Sequence, residues 1–198
     1  MNIAAIILAA GDSSRMGRPK QLLEFNGTSL IRHVATVACA SRANSVYAVL
    51  GSNAESLNRN IEDLGVKTLI NSRWKEGISS SIRCAISALP NDADAVIILL
   101  CDQPFITSHH LDEMIEAYTR TGNRIVASAY GNRLGAPALF ERTLFPELLD
   151  LKADKGARTV ITSHQQETLS IRFPSAEFDV DYPADYEKLA SLERHAVK

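Results

Sequence analysis

Apolar and polar positions follow two alternating periods along the chain. Short, nearly continuous apolar runs occupy positions 3–8, 46–50, 66–70, 95–100 and 125–129. Runs of this length, rich in Ile, Val and Leu and closed by polar turns, predict strands covered on both faces. Between them apolar residues recur every three or four positions, which predicts helices over 30–40, 54–64, 79–89 and 108–121. Thr107 or Ser108 is placed to cap the last of these. Repeated β/α crossovers predict an α/β fold in three layers, α/β/α, with a mostly parallel, Rossmann-like sheet. In such sheets ligands lie beyond the carboxyl ends of the strands, where the loops after Leu8, Ile70 and Leu100 emerge. Beyond Ala129 the pattern weakens. Pro137, Pro146, Pro174 and Pro183 divide the chain into short pieces ahead of a final helix over 184–194.

The first strand leads directly into Gly11-Asp12-Ser13-Ser14-Arg15-Met16-Gly17-Arg18-Pro19-Lys20. Gly11 and Gly17 allow backbone shapes and close approaches that a side chain would block, and consecutive amides in such a loop can converge on an anion. Arg15 and Lys20 add full positive charge where a triphosphate would lie. The spacing excludes the P-loop, because position 16 is Met, and the dinucleotide fingerprint, because positions 9 and 13 are Ala and Ser.

The segment LAAGDSSRMGRPK at 8–20 resembles the LAAGxSxRMGxxK signature of nucleotidyltransferases that activate phosphorylated acceptors with CTP, GTP or UTP. The likeness is greatest to the molybdenum cofactor cytidylyltransferases. It extends through EGISSS at 76–81, CDQP at 101–104, GAPALF at 135–140, DKGAR at 154–158 and DVDYPADY at 179–186. The resemblance implies the nucleotide-diphospho-sugar transferase type of fold, with one antiparallel strand inserted in the sheet. It implies a single domain over 1–198, with a nucleotide-binding core at 1–129 and an acceptor-binding portion with a closing helix at 130–198. It further implies CTP as donor, molybdopterin as acceptor, magnesium as cofactor with manganese as its substitute, and a molybdenum hydroxylase as client.

Asp102 follows an apolar run directly and so projects from a strand end into the ligand edge, a natural magnesium position. Its alternative is a turn former. The resemblance assigns Asp102 to the metal and Asp181 as its second carboxylate, with Asp185 free to cap the last helix. Arg15, Lys20 and Asp102 are the expected catalytic groups. The nucleotide is expected against Leu8, Ala9, Ala10, Gly11, Arg15, Lys20, Asn71, Ser79 and Ser80, with the serines able to touch base or ribose or to act as helix caps. Gly135, Pro137 and Arg158 are the acceptor candidates, and the stretch around Gly156 reads equally as a phosphate site or an ordinary loop. Cys101 stands where the family motif has Gly; a strand-end core position fits it better than a reactive thiol.

With 198 residues and 45% hydrophobic content the chain can bury one substantial core. Its net charge of −2, from 21 basic and 23 acidic residues, supplies no overall basic field for a nucleic-acid partner. No apolar run reaches membrane-spanning length and no secretion signal is evident, which predicts a cytoplasmic protein away from the membrane. Three widely spaced cysteines are expected to be reduced and mostly buried. The five histidines show no metal-ligand spacing, and His109 and His110 are expected to open a solvated helix. The rival readings are a guanylyltransferase, a sugar-phosphate or phospholactate nucleotidyltransferase of the same fold, and a non-catalytic nucleotide-binding accessory protein.

Overall fold

The computed structural model describes residues 1–196, with side chains up to residue 192. The histidine at position 195 therefore falls outside the described side chains. Seven strands form one sheet in the order β5 (Lys67–Ile70), β4 (Ser45–Leu50), β1 (Ile3–Ala9), β6 (Ala95–Leu100), β8 (Arg133–Glu141), β7 (Ile125–Tyr130), β9 (Thr168–Arg172). All neighbours pair in parallel except β8, which runs antiparallel to both β6 and β7. A two-stranded ribbon of β2 (Glu24–Phe25) and β3 (Thr28–Ser29) stands apart from it.

Every residue of β1 is buried, as a central strand covered on both faces requires. One face packs under α1 (Leu30–Cys39), α2 (Ala54–Arg59) and α4 (Ser108–Thr121), through Ile31, Val34, Leu57, Leu111 and Met114. The other packs under α3 (Ile78–Ala88), α5 (Phe145–Leu149) and α6 (Arg158–Ser163), through Ile82, Ile86, Leu148 and Val160. A third cluster joins Met16, Leu23, Phe25 and Leu30 to Val180 and Leu189, clamping α7 (Pro183–Ala196) against the first loop. No helix among the described residues is long and apolar enough to cross a membrane.

The five expected strands and four expected helices are present, with one shortening: α2 stops at Arg59 and the chain continues as a separate 3-10 turn over Glu62–Leu64. Beyond Ala129 the chain is more regular than its prolines suggest. β8 is the longest strand, and Pro137 sits inside it after a cis peptide bond. β9 lies at the sheet edge, where half-exposed polar residues blur the apolar signal. Asp185 accepts from the backbone N–H of Asp181 and of Tyr182, reaching back from the first turn of α7.

Two expectations about burial require correction. His110 is buried, its ring stacked on Phe173 at 3.9 Å, with Nε2 2.8 Å from Ser128 Oγ. Ser128 in turn donates to the Pro137 carbonyl at 2.7 Å, so an apolar setting and one hydroxyl, invisible in local sequence, take this imidazole inside. Burial lowers its pKa to about 4. Among the cysteines only Cys101 is fully buried, while Cys39 is exposed because it closes the outer end of α1.

Candidate active site

A cavity of about 570 Å³ opens at the carboxyl ends of β1 and β6. Leu8, Ala9, Ala10, Gly11, Arg15, Lys20, Asp102 and Asp181 all line it, together with Trp74, Gly77, Ile78 and Ser81 from the approach to α3. The first loop is fixed by one buried amide. Gln21 Nε2 donates to the carbonyls of Ala9 and Gly11, and its Oε1 accepts from Ser13 Oγ. Ser13 adopts a left-handed φ of 59°, and its Oγ accepts from the Lys20 N–H, closing the loop on itself. Gln21 was missed in the sequence reading; its signal is a polar residue between apolar Leu22 and Leu23 and the loop.

Lys20 lies at the centre of the charges. Its Nζ is 2.5 Å from Asp102 Oδ2 and 2.7 Å from Asp181 Oδ1, while Arg15 is 3.1 Å from Asp181 Oδ2. Burial pulls the Lys20 pKa down, but Asp102 and Asp181 outweigh it and hold it above the ordinary lysine value. Burial likewise pushes Asp181 up, yet Lys20 and Arg15 hold it below the usual carboxylate range. Arg15 lies over the Tyr182 ring, 5.4 Å from its centroid. Two residues 79 positions apart in sequence meet because Val180 N–H donates to the Asp102 carbonyl at 3.0 Å, lashing the DVDYPADY segment to the end of β6.

Asp102 Oδ1 is buried with no hydrogen-bond partner among the described residues. An oxygen left in that state suits a cation. Asp179, also missed, is half-buried nearby. Burial first, and then the charge of Asp102, push its pKa up to about 6.

Asn71, Ser79 and Ser80 lie beneath the cavity rather than on its wall. Asn71 Nδ2 donates to Ser80 Oγ at 2.8 Å and to Ser81 Oγ at 3.1 Å, and Ser80 donates to the Gly77 carbonyl. Ser79 is fully buried and accepts from Arg83. These bonds brace the start of α3, but none of the serines is its cap: Gly77 holds the N-cap position without a side-chain hydrogen bond. Trp74 closes the cavity above Gly51, where a Cβ would come within 2.6 Å of the Ala10 carbonyl and 2.7 Å of Trp74 Cβ. Cys101 is buried and its thiol pKa is raised by desolvation, so it is inert packing. Gly135, Pro137 and Arg158 lie outside this cavity, on β8 and α6.

Among curated proteins, the chain is 27% identical over 168 residues to nicotine blue oxidoreductase of Paenarthrobacter nicotinovorans, covering 80% of this chain and 81% of that one. It is 28% identical over 203 residues to the purine catabolism protein PucB of Bacillus subtilis, covering 93% and 94%. Among solved structures, an Rv0371c homologue from Mycobacterium sp. strain JC1 superposes with a TM-score of 0.85 at 30% identity over 97% of both chains. Rv0371c of Mycobacterium tuberculosis in complex with manganese gives a TM-score of 0.81 at 26% identity, covering 96% and 99%. Residues 5–168 match the model of the MobA-like NTP transferase domain, and the chain belongs to that family of nucleotidyltransferases.

Proposed function

We propose that this nucleotidyltransferase moves CMP from CTP to the phosphate of molybdopterin, releasing pyrophosphate. One acceptor phosphate oxygen forms a bond to the α-phosphorus of CTP as the bond from that phosphorus to the β-phosphate oxygen breaks. The electron pair leaves with pyrophosphate. A phosphate monoester is already ionised near neutral pH, so the step needs alignment and charge neutralisation but no general base. The cavity supplies these. Arg15 and Lys20 carry the cations, and the loop of Gly11 lies between them and Ala10.

Asp102 and Asp181 would hold a divalent ion, magnesium or manganese. Two carboxylates suffice, because such an ion takes its remaining ligands from the triphosphate and water. The ion would neutralise charge that develops on the reacting phosphates. The partnerless Asp102 Oδ1 and the shared contact of both carboxylates with Lys20 carry this reading. Arg15 and Lys20 would then turn to the β- and γ-phosphates.

The choice of CTP rests on Ala10. Ala10 lines the cavity with Trp74, at the position where the guanylyltransferases that the chain resembles carry glycine, and its methyl group takes space there that a purine would need. Gly135, Pro137 and Arg158 would meet the acceptor, which makes 1–129 the nucleotide half and 130–198 the acceptor half of one domain. A cytoplasmic site of action and delivery to a molybdenum hydroxylase complete the proposal.

The test offers CTP, GTP, UTP and ATP with molybdopterin and magnesium, reading pyrophosphate release and the product mass. Cytosine dinucleotide product is expected, with Asp102→Asn reduced ~100-fold or more. Better use of GTP would make the protein a guanylyltransferase. Nucleotide binding without pyrophosphate release would make it an accessory binder.

A further inference from the structure

A second concavity of about 520 Å³ lies at the turn between β7 and β8, flanked by α6 and the edge strand β9. Arg133 and Arg158 line it and no carboxylate does, in a chain whose net charge is −2. Asn132, Gln165 and Ser170 line it as well. Among the described residues, none of these five side chains makes a hydrogen bond or a salt bridge. Two cations among polar groups without partners suit an anion, and the nearby carboxylates, Asp179 acting on Arg133 and Glu177 beside Gly131, lie outside the lining.

The groove is built, and it is tied to the cavity. The Arg133 guanidinium lies over the Tyr130 ring, 5.1 Å from its centroid. Tyr130 can lie there because position 135 is glycine: a Cβ on Gly135 would strike the tyrosine hydroxyl. That hydroxyl lies within reach of Gln103, which follows Asp102 in sequence, and of Asp179, two residues before Asp181. β8, which carries Arg133, pairs with β6, which delivers Asp102, and both ends lie on the same sheet edge. The β7/β8 turn that carries Arg133 therefore stands at the same edge as the end of β6, with Tyr130 between groove and cavity.

We propose that this groove is the subsite for a second anionic group of the acceptor, held by Arg133 and Arg158 while its phosphate lies at Asp102. This rests on the acceptor reading given above. In molybdopterin the ene-dithiolate, alone or bearing an oxometal, is such a group, separated from the phosphate by a short carbon chain. The groove thus selects acceptors that carry two negative groups over simple phosphate monoesters.

Molybdopterin binding, followed anaerobically by pterin fluorescence, tests this in wild type, Arg133→Gln and Arg158→Gln, with CTP binding measured alongside. Each substitution is expected to raise the molybdopterin dissociation constant roughly 10- to 100-fold and to leave that of CTP unchanged. A phosphorylated pterin lacking the dithiolate is expected to bind all three proteins alike. Equal molybdopterin affinity in wild type and both variants overturns the subsite. An equal loss with the dithiolate-free pterin also overturns it, by assigning the arginines to another part of the acceptor. Failure of wild type to bind molybdopterin overturns the acceptor reading itself, and the subsite with it.

Discussion

Replacing Lys20 by Met separates the two roles that its ammonium group plays. In the structure Lys20 neutralises Asp102 and Asp181 together, at 2.5 and 2.7 Å. Because both carboxylate oxygens touch one nitrogen, they are about 5 Å apart or closer. Two unscreened like charges at that separation repel by about 3 kcal/mol at an effective dielectric of 20. The side chains are only 17% and 31% exposed, so water relieves little of this at Asp102 and more at Asp181, which also keeps Arg15. Lys20→Met should therefore destabilise the metal-free fold by about 3 kcal/mol, a fall of roughly 6–12 °C in Tm for a chain of this size. A divalent ion should reverse the loss, because it takes the place of the ammonium. In wild type the same ion must displace Lys20, so metal alone should stabilise it little until nucleotide draws Lys20 to its phosphates. Thermal melts of both proteins, with and without manganese and without nucleotide, read all four states. Equal Tm values in metal-free buffer, or equal manganese shifts in the two proteins, would refute the reasoning. Turnover by the variant should collapse even where its stability is restored.

Ala10→Gly should relax the preference for CTP toward GTP by roughly 10-fold or more, since one methyl group discriminates only modestly; competition between the two nucleotides measures it. Gly51→Ala should force Trp74 and the Ala10 backbone apart, costing about 1–3 kcal/mol in urea denaturation and weakening nucleotide binding. His110 titrates in the unfolded chain near 6.5 but at about 4 in the fold, so its neutral form is the stable one. Folding stability should be complete above pH 6.5 and fall by about 2–3 kcal/mol as pH drops toward 4. His110→Gln can still donate to Ser128 and should lose that part of the pH slope; an unchanged slope in the variant would rule His110 out as its source.

The sequence alone determined the elements whose apolar pattern is long and unbroken. Four of the five expected strands, β1, β4, β6 and β7, are buried along almost their whole length, so their side chains had to be mostly apolar, and β6 was legible to the residue; β5 instead lies at the sheet edge with Lys67 and Ile70 exposed. The order of these strands and helices was enough to bring the loops after β1, β5 and β6 to one edge, and hence Lys20 and Asp102 into one region. What the sequence left open depends on partners far along the chain. β8 reads as irregular because Pro137 interrupts its pattern, yet two neighbouring strands hold it. His110 looks like a solvated helix start until Phe173 and Ser128 enclose it. Asp181 differs from Asp179 and Asp185 only in three dimensions, through the Val180 bond to Asp102 and the reach of Asp185 back to its N–H. Periodicity records which face of an element is buried, whereas a site is a set of contacts between elements; only the tertiary structure brings Lys20 between its two aspartates and Arg133 beside Arg158.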